Sequence, residues 1–215
     1  MRFALTKDHL DFFYRHHYIE FEELLSPDEV EALLSGIEEV LSKRIKSSWT
    51  PEAVYRAGYN IWSENPSVKK VALSSHLAEI ASQLSKERTL RLAFDQVLYG
   101  APSETPLFAE PRTLKTLSSV QPVICGLILT LKNDEAFEDP QPKKPGNATF
   151  FSPRHPLSFD YLSQNLSTIQ YLIVYTGDKA LYVHTPTDPH THVLKKQSYV
   201  FGDRLGSSHP IVIKP

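Results

Sequence analysis

The spacing of apolar residues changes once along this chain, near residue 88, and that change limits the folds open to it. In "SPDEVEALLSGIEEVLSKRI", Val30, Leu33, Leu34, Ile37, Val40 and Leu41 recur at helical spacing and make one apolar face, with Glu31, Glu38 and Glu39 toward the other side. Ser26 suits an N-cap, Pro27 the first helical position, and Glu29 completes a capping box. Upstream, "TKDHLDFFYRHHYIEF" predicts a helix running into a short strand at Tyr18–Phe21. Downstream, "TPEAVYRAG" and "SHLAEIASQLSKE" predict two shorter helices. Beyond residue 88 the pattern is that of strands. "LRLAFDQVLY" places Leu90, Leu92, Phe94, Gln96 and Leu98 on one face, and "PVICGLILTL" is apolar almost throughout, as a central strand is. "ATFFS", "TIQYLIVYT", "ALYVHT", "HVLKKQSYVFG" and "HPIVIK" follow as strands. "TGDK" at 176–179 predicts a tight turn and makes 168–184 a hairpin, and "DEAFEDPQPKKPGN" predicts a surface loop.

Helices first and antiparallel-type strands after them predict an α+β domain. The expected architecture is a double-stranded β-helix, or jelly roll, backed by the N-terminal helices. The expectation is a single unit over 1–215, with 1–88 a mainly helical lead-in and 89–215 the jelly-roll strands. The chain's 215 residues suffice for one such core. A net charge of −2 gives no electrostatic case for nucleic acid. The paired lysines at 69–70, 143–144 and 195–196 are too scattered for a basic stripe. The one cysteine, Cys125, excludes an intramolecular disulfide and lies mid-strand, where a small core residue is expected. No run is long enough to span a membrane and the start is too polar for a signal peptide, so a soluble protein of the cytoplasm is expected. There is no G-x-S-x-G, and the eight glycines form no phosphate loop.

Several stretches, in order along the chain, resemble the phytanoyl-CoA dioxygenase-like branch of the Fe(II)/2-oxoglutarate oxygenases. "DFFYRHHYIEFEELLSPDEVEALLSGIEEV" resembles the opening of these proteins, where a helix, a short strand and a capped helix precede the jelly roll. "FDQVLYGAPSETPLFAEP" is similar to the strand and loop that lead to their His-x-Asp pair. "VICGLILTLKN", "PGNATFFSPRHPLS" and "KKQSYVFGDRLGSSHPIVIK" resemble their later landmarks. The resemblance implies two histidines and a carboxylate on one face of ferrous iron, leaving the other face for 2-oxoglutarate and oxygen. It also carries expected departures. Phe108 falls on the first histidine and Glu110 on the aspartate. Either Gly206 or His209 falls on the second histidine, depending on register. No arginine follows Arg204 to grip 2-oxoglutarate with a planar fork, and Lys214 is the remaining late cation. A phenyl ring offers a metal no lone pair but fills the space of an imidazole. The alternative is that Phe108 is an ordinary core anchor.

"HTPTDPHTH" is the most metal-like stretch by composition, with His184, Asp188, His190 and His192. The plainer reading of it is a polar hairpin turn from Thr185 to Pro189. His9-x-Asp11 matches His-x-Asp formally but lies in a predicted helix. Three functions are therefore expected, in this order. The first is a binding or regulatory protein with an oxygenase-like fold, lacking the facial triad and native cofactors, whose partner is a small molecule or protein. The second is a metal-dependent dioxygenase with non-standard ligands, using Fe(II) and 2-oxoglutarate. The third is a metal-responsive nucleic-acid-binding regulator, because a small bacterial relative of this kind has been discussed as divalent-cation-dependent.

Overall fold

The computed structural model describes residues 5–133, 144–164 and 168–214. The predicted surface loop at 134–147 falls mostly outside these residues. Five helices come first in the chain, interrupted by one strand: α1 (Lys7–His16), β1 (Tyr18–Phe21), α2 (Pro27–Arg44), α3 (Pro51–Ala57), α4 (Pro66–Ala72) and α5 (Ser75–Ser85). The strands β2 (Leu90–Tyr99), β3 (Val120–Lys132), β4 (Ala148–Phe151), β5 (Ile169–Tyr182) and β6 (Ile211–Ile213) follow. A short helix α6 (Tyr161–Gln164) lies between β4 and β5, and a 3₁₀ turn spans Val193–Gln197. The capping box at Ser26 forms as expected, with the Ser26 hydroxyl accepting from Glu29 N–H and Glu29 accepting from Ser26 N–H. Helix α4 was not predicted. Its seven residues are too few for an apolar period to show, although Asn65 caps it and Pro66 opens it.

The six strands form one curled antiparallel sheet in the order β1-β4-β3-β5-β2-β6. This is the jelly roll expected from the sequence. Alternation along β3 and β5 divides the core in two. Cys125, Leu127 and Leu129 with Tyr171, Ile173 and Tyr175 face the helices, against Leu33, Ile37 and Leu41 of α2 and Leu77, Ile80 and Leu84 of α5. Ile128, Leu172 and Val174 face the barrel interior, with Phe94, Phe151 and Phe159. Cys125 is buried on the helix side, and burial pushes its thiol up to about 12.

Three predicted strand features differ. Strand β2 does not keep one apolar face, because a bulge shifts the register between Leu92 and Phe94. Leu90 and Leu92 face the helices while Phe94 and Leu98 face the barrel. The segment Thr176–Lys179 is no hairpin turn but part of the continuous strand β5. Thr176 pairs with Val123 and Leu181 with Gln121, so Gly177–Ala180 bulge opposite Pro122, which has no N–H to donate. Residues 193–203 form turns and a 3₁₀ helix instead of a strand.

Candidate functional site

The barrel mouth is built from three segments. The first is helix α3 and the turn after it. Tyr55 and Tyr59 are four residues apart and lie on one side of the chain. Gly58 N–H donates to the Val54 carbonyl at 2.7 Å, and Val97 N–H donates to the Gly58 carbonyl at 3.0 Å. A Cβ at Gly58 would lie 2.7 Å from the Val97 Cβ, so glycine is what lets the turn approach β2. Buried Asp95 fixes the same turn from the other side of the sheet. Its carboxylate accepts from Ile61 N–H at 3.0 Å and from the Tyr171 hydroxyl at 2.8 Å. Burial raises its pKa to about 7, against those hydrogen bonds.

The second segment is the loop that carries Phe108. Ser103 N–H bonds to the Ser163 carbonyl, and Arg112 exchanges two backbone bonds with Leu157, at 2.8 and 2.6 Å. Between those anchors Phe108 turns inward and is 8% exposed. The third segment is the turn at 185–192. Asp188 accepts from His190 N–H at 2.8 Å and from the Ser119 hydroxyl at 2.7 Å, so both of its oxygens are engaged. That local bond closes an Asx-type turn and points the His190 ring into the barrel.

The three segments meet in a continuous row of six rings. Phe159 lies 5.5 Å from Phe108, Phe108 5.3 Å edge-on to Tyr55, and Tyr55 stacks on His190 at 5.3 Å. His190 stacks on Tyr59 at 4.1 Å, and Tyr59 on Phe94 at 5.4 Å. The Arg112 guanidinium lies over the Phe108 ring at 5.2 Å. Among the described residues, two buried nitrogens here have no hydrogen-bond partner, Arg112 Nε and His190 Nε2. Burial lowers the His190 pKa to about 4, partly opposed by the Tyr55 carbonyl. Burial raises the Asp188 pKa and, with Asp188 nearby, holds both tyrosine hydroxyls above their usual range. The mouth therefore carries a neutral imidazole among flat, mostly apolar surfaces.

The structure separates the residues that the sequence had grouped. Phe108 is inside, whereas Glu110 is exposed on the same loop. Asp188 and His190 are buried together, while His184 and His192 lie exposed, stacked on each other at 5.8 Å and flanked by Phe201. His209 is buried, its Nδ1 3.1 Å from the Ser208 hydroxyl and its carbonyl accepting from Arg91 at 3.0 Å. Burial lowers its pKa to about 4, with Arg91 adding to the effect. Gly206 is exposed. Its N–H donates to the Tyr199 hydroxyl, and a Cβ there would lie 3.0 Å from that oxygen. Lys214 is exposed beyond β6. No group of three or more His, Cys, Asp or Glu side chains among the described residues could hold a metal ion. Sequence reasoning missed Tyr55, Tyr59 and Phe159 as parts of this mouth. The four-residue spacing of the tyrosines was the one available signal.

No protein-family model matches the sequence, and no curated protein does. Solved structures do match. The non-heme alpha-ketoglutarate-dependent carbocyclase SnoK from nogalamycin biosynthesis is 17% identical over 96% of each chain, with a TM-score of 0.72. The alpha-ketoglutarate-dependent epimerase SnoN of the same biosynthesis is 17% identical over 96% of this chain and 98% of its own, at 0.73. CT296 from Chlamydia trachomatis is 19% identical over 82% of this chain and 99% of its own, at 0.52.

Proposed function

We propose that this protein uses the fold of the 2-oxoglutarate-dependent oxygenases without their facial triad, as a binding or regulatory protein of the phytanoyl-CoA dioxygenase type. The observation that carries this reading is the row of rings from Phe159 to Phe94. It packs the interior where the resemblance would put a metal and its cosubstrate. The donors present do not fit ferrous iron held by two histidines and a carboxylate. Phe108 has no lone pair and Glu110 faces solvent, so neither position of the expected His-x-Asp pair offers a ligand inside the barrel. The reading extends to a cytoplasmic protein whose partner is a small molecule or another protein.

The second reading is a dioxygenase with non-standard ligands. It is favoured by one observation, that Asp188 and His190 are buried in the same turn and His190 Nε2 has no hydrogen-bond partner. Turnover separates the two. Incubation with Fe(II), ascorbate and 2-oxoglutarate should release no succinate above a protein-free control. Catalytic succinate release that stops on His190→Phe would establish the second reading instead.

A further inference from the structure

A groove of about 530 Å³ lies away from the barrel mouth, between the ends of α1 and α5, the start of β3 and the residues after β4. Its floor is hydrocarbon: Phe13, Leu84 and Val123 are buried in the core, and Ile124 and Pro153 are partly covered. Its rim carries two cations, Lys115 and Arg154, with the His17 ring beside them and hydroxyls from Ser85 and Ser152. Among the described residues, no carboxylate lines it. Among the described residues, neither Lys115 nor Arg154 joins an ion pair, whereas Lys43, Arg44, Arg56, Lys70 and Arg91 each do. A third cation, Lys86, sits over the exposed ring of Tyr14 on the same wall, at 4.5 Å. This local charge runs against the chain's net −2. The wall is fixed in place, because Ser152 N–H donates to the His17 carbonyl at 2.9 Å and so ties the end of α1 to the end of β4.

Charge complementarity and an apolar floor select a ligand that is both anionic and greasy. A fixed, mostly apolar concavity with a few converging polar groups is what small-molecule sites look like. We propose that this groove binds a free, single-chain aliphatic carboxylate of medium length. Its hydrocarbon lies along Phe13, Leu84 and Ile124, and its carboxylate sits between Lys115 and Arg154. Charge-assisted hydrogen bonds from the two cations fix the head, and exclusion of the tail from water supplies the rest. The proposal is independent of the barrel mouth and stands whether or not iron chemistry occurs there.

Calorimetric titration of the full chain with monomeric decanoate tests it, with decanol as the neutral match. Decanoate should bind saturably at one site. The double variant Lys115→Glu/Arg154→Glu changes two exposed side chains, and its fold is checked by circular dichroism. It should weaken decanoate roughly tenfold or more and leave decanol about where it was. If the double variant does not fold, added salt on the wild type must weaken decanoate and not decanol. Three results would overturn the assignment: no saturable decanoate binding to the wild type, equal loss of acid and alcohol, or binding only to phosphatidylglycerol vesicles.

Discussion

Asp95, Asp188, His190 and His209 are buried titratable groups with opposed effects on stability. His190 and His209 have native pKa values near 4, below the usual histidine value of about 6.5. The unfolded chain therefore binds more protons than the native one between those values, and their contribution is lost as the pH falls from about 6.5 to 4. Asp95 titrates near 7 when native, so its contribution is present at low pH and is lost as the pH rises from about 4 to 7. The raised Asp188 acts in the same direction as Asp95. Asp95→Asn keeps the acceptor for Ile61 N–H and the Tyr171 hydroxyl, so urea midpoints from pH 7 to 4 should fall more steeply than those of the wild type. His190→Phe keeps the stack and removes the unpartnered Nε2, so its midpoints should fall less steeply. Parallel wild-type and variant curves would remove the burial argument for either residue. Phe108→Ala should cost about 3 kcal/mol in the same assay, as a large-to-small change in a packed aromatic row. A loss below about 1 kcal/mol would mean that the ring is not a packed member of the core.

Helix α3 and its exit turn carry the two tyrosines of the mouth, and their placement depends on one close approach. An added methyl at Gly58 meets the Val97 Cβ and the Val54 carbonyl, both backbone or branch-point atoms that cannot swing away. Gly58→Ala should cost about 1–3 kcal/mol by thermal or urea unfolding, and should perturb the resonances of Tyr55, Tyr59 and His190 together. A chemical-shift change confined to residues near Gly58 would break the proposed link. The same scale marks where sequence reading succeeded. The capped helix α2 and the apolar β3 were legible because period, cap and composition agree there. The bulges in β2 and β5 were not. A single inserted residue at Ala93 reverses the faces of β2, and nothing in "LRLAFDQVLY" marks it. Thr176–Lys179 has turn composition, but Thr176 pairs with both β2 and β3 and Leu181 pairs again with β3, so Gly177–Ala180 are carried as a bulge within one strand. Tertiary pairing overrode local preference in both cases.

Across the whole molecule, the sheet separates a helix-backed core from a barrel interior, and the fold was readable from the change of apolar period near residue 88 together with the resemblance. The site was only half readable. Phe108 was singled out by its place in the loop, but its partners come from α3, from the turn at 185–192 and from Phe159, and no spacing in the sequence joins segments so far apart. Helices of the described residues include none long and apolar enough to cross a membrane. A crystal structure of the wild-type protein, grown and soaked anaerobically with Mn(II) and 2-oxoglutarate, tests the filled barrel mouth most directly. The expected result is that the rings from Phe159 to Phe94 keep their stacking, with Phe108 between Tyr55 and Phe159 and no metal density against His190 or Asp188. Manganese bound at the mouth with Phe108 swung out of the row would contradict it.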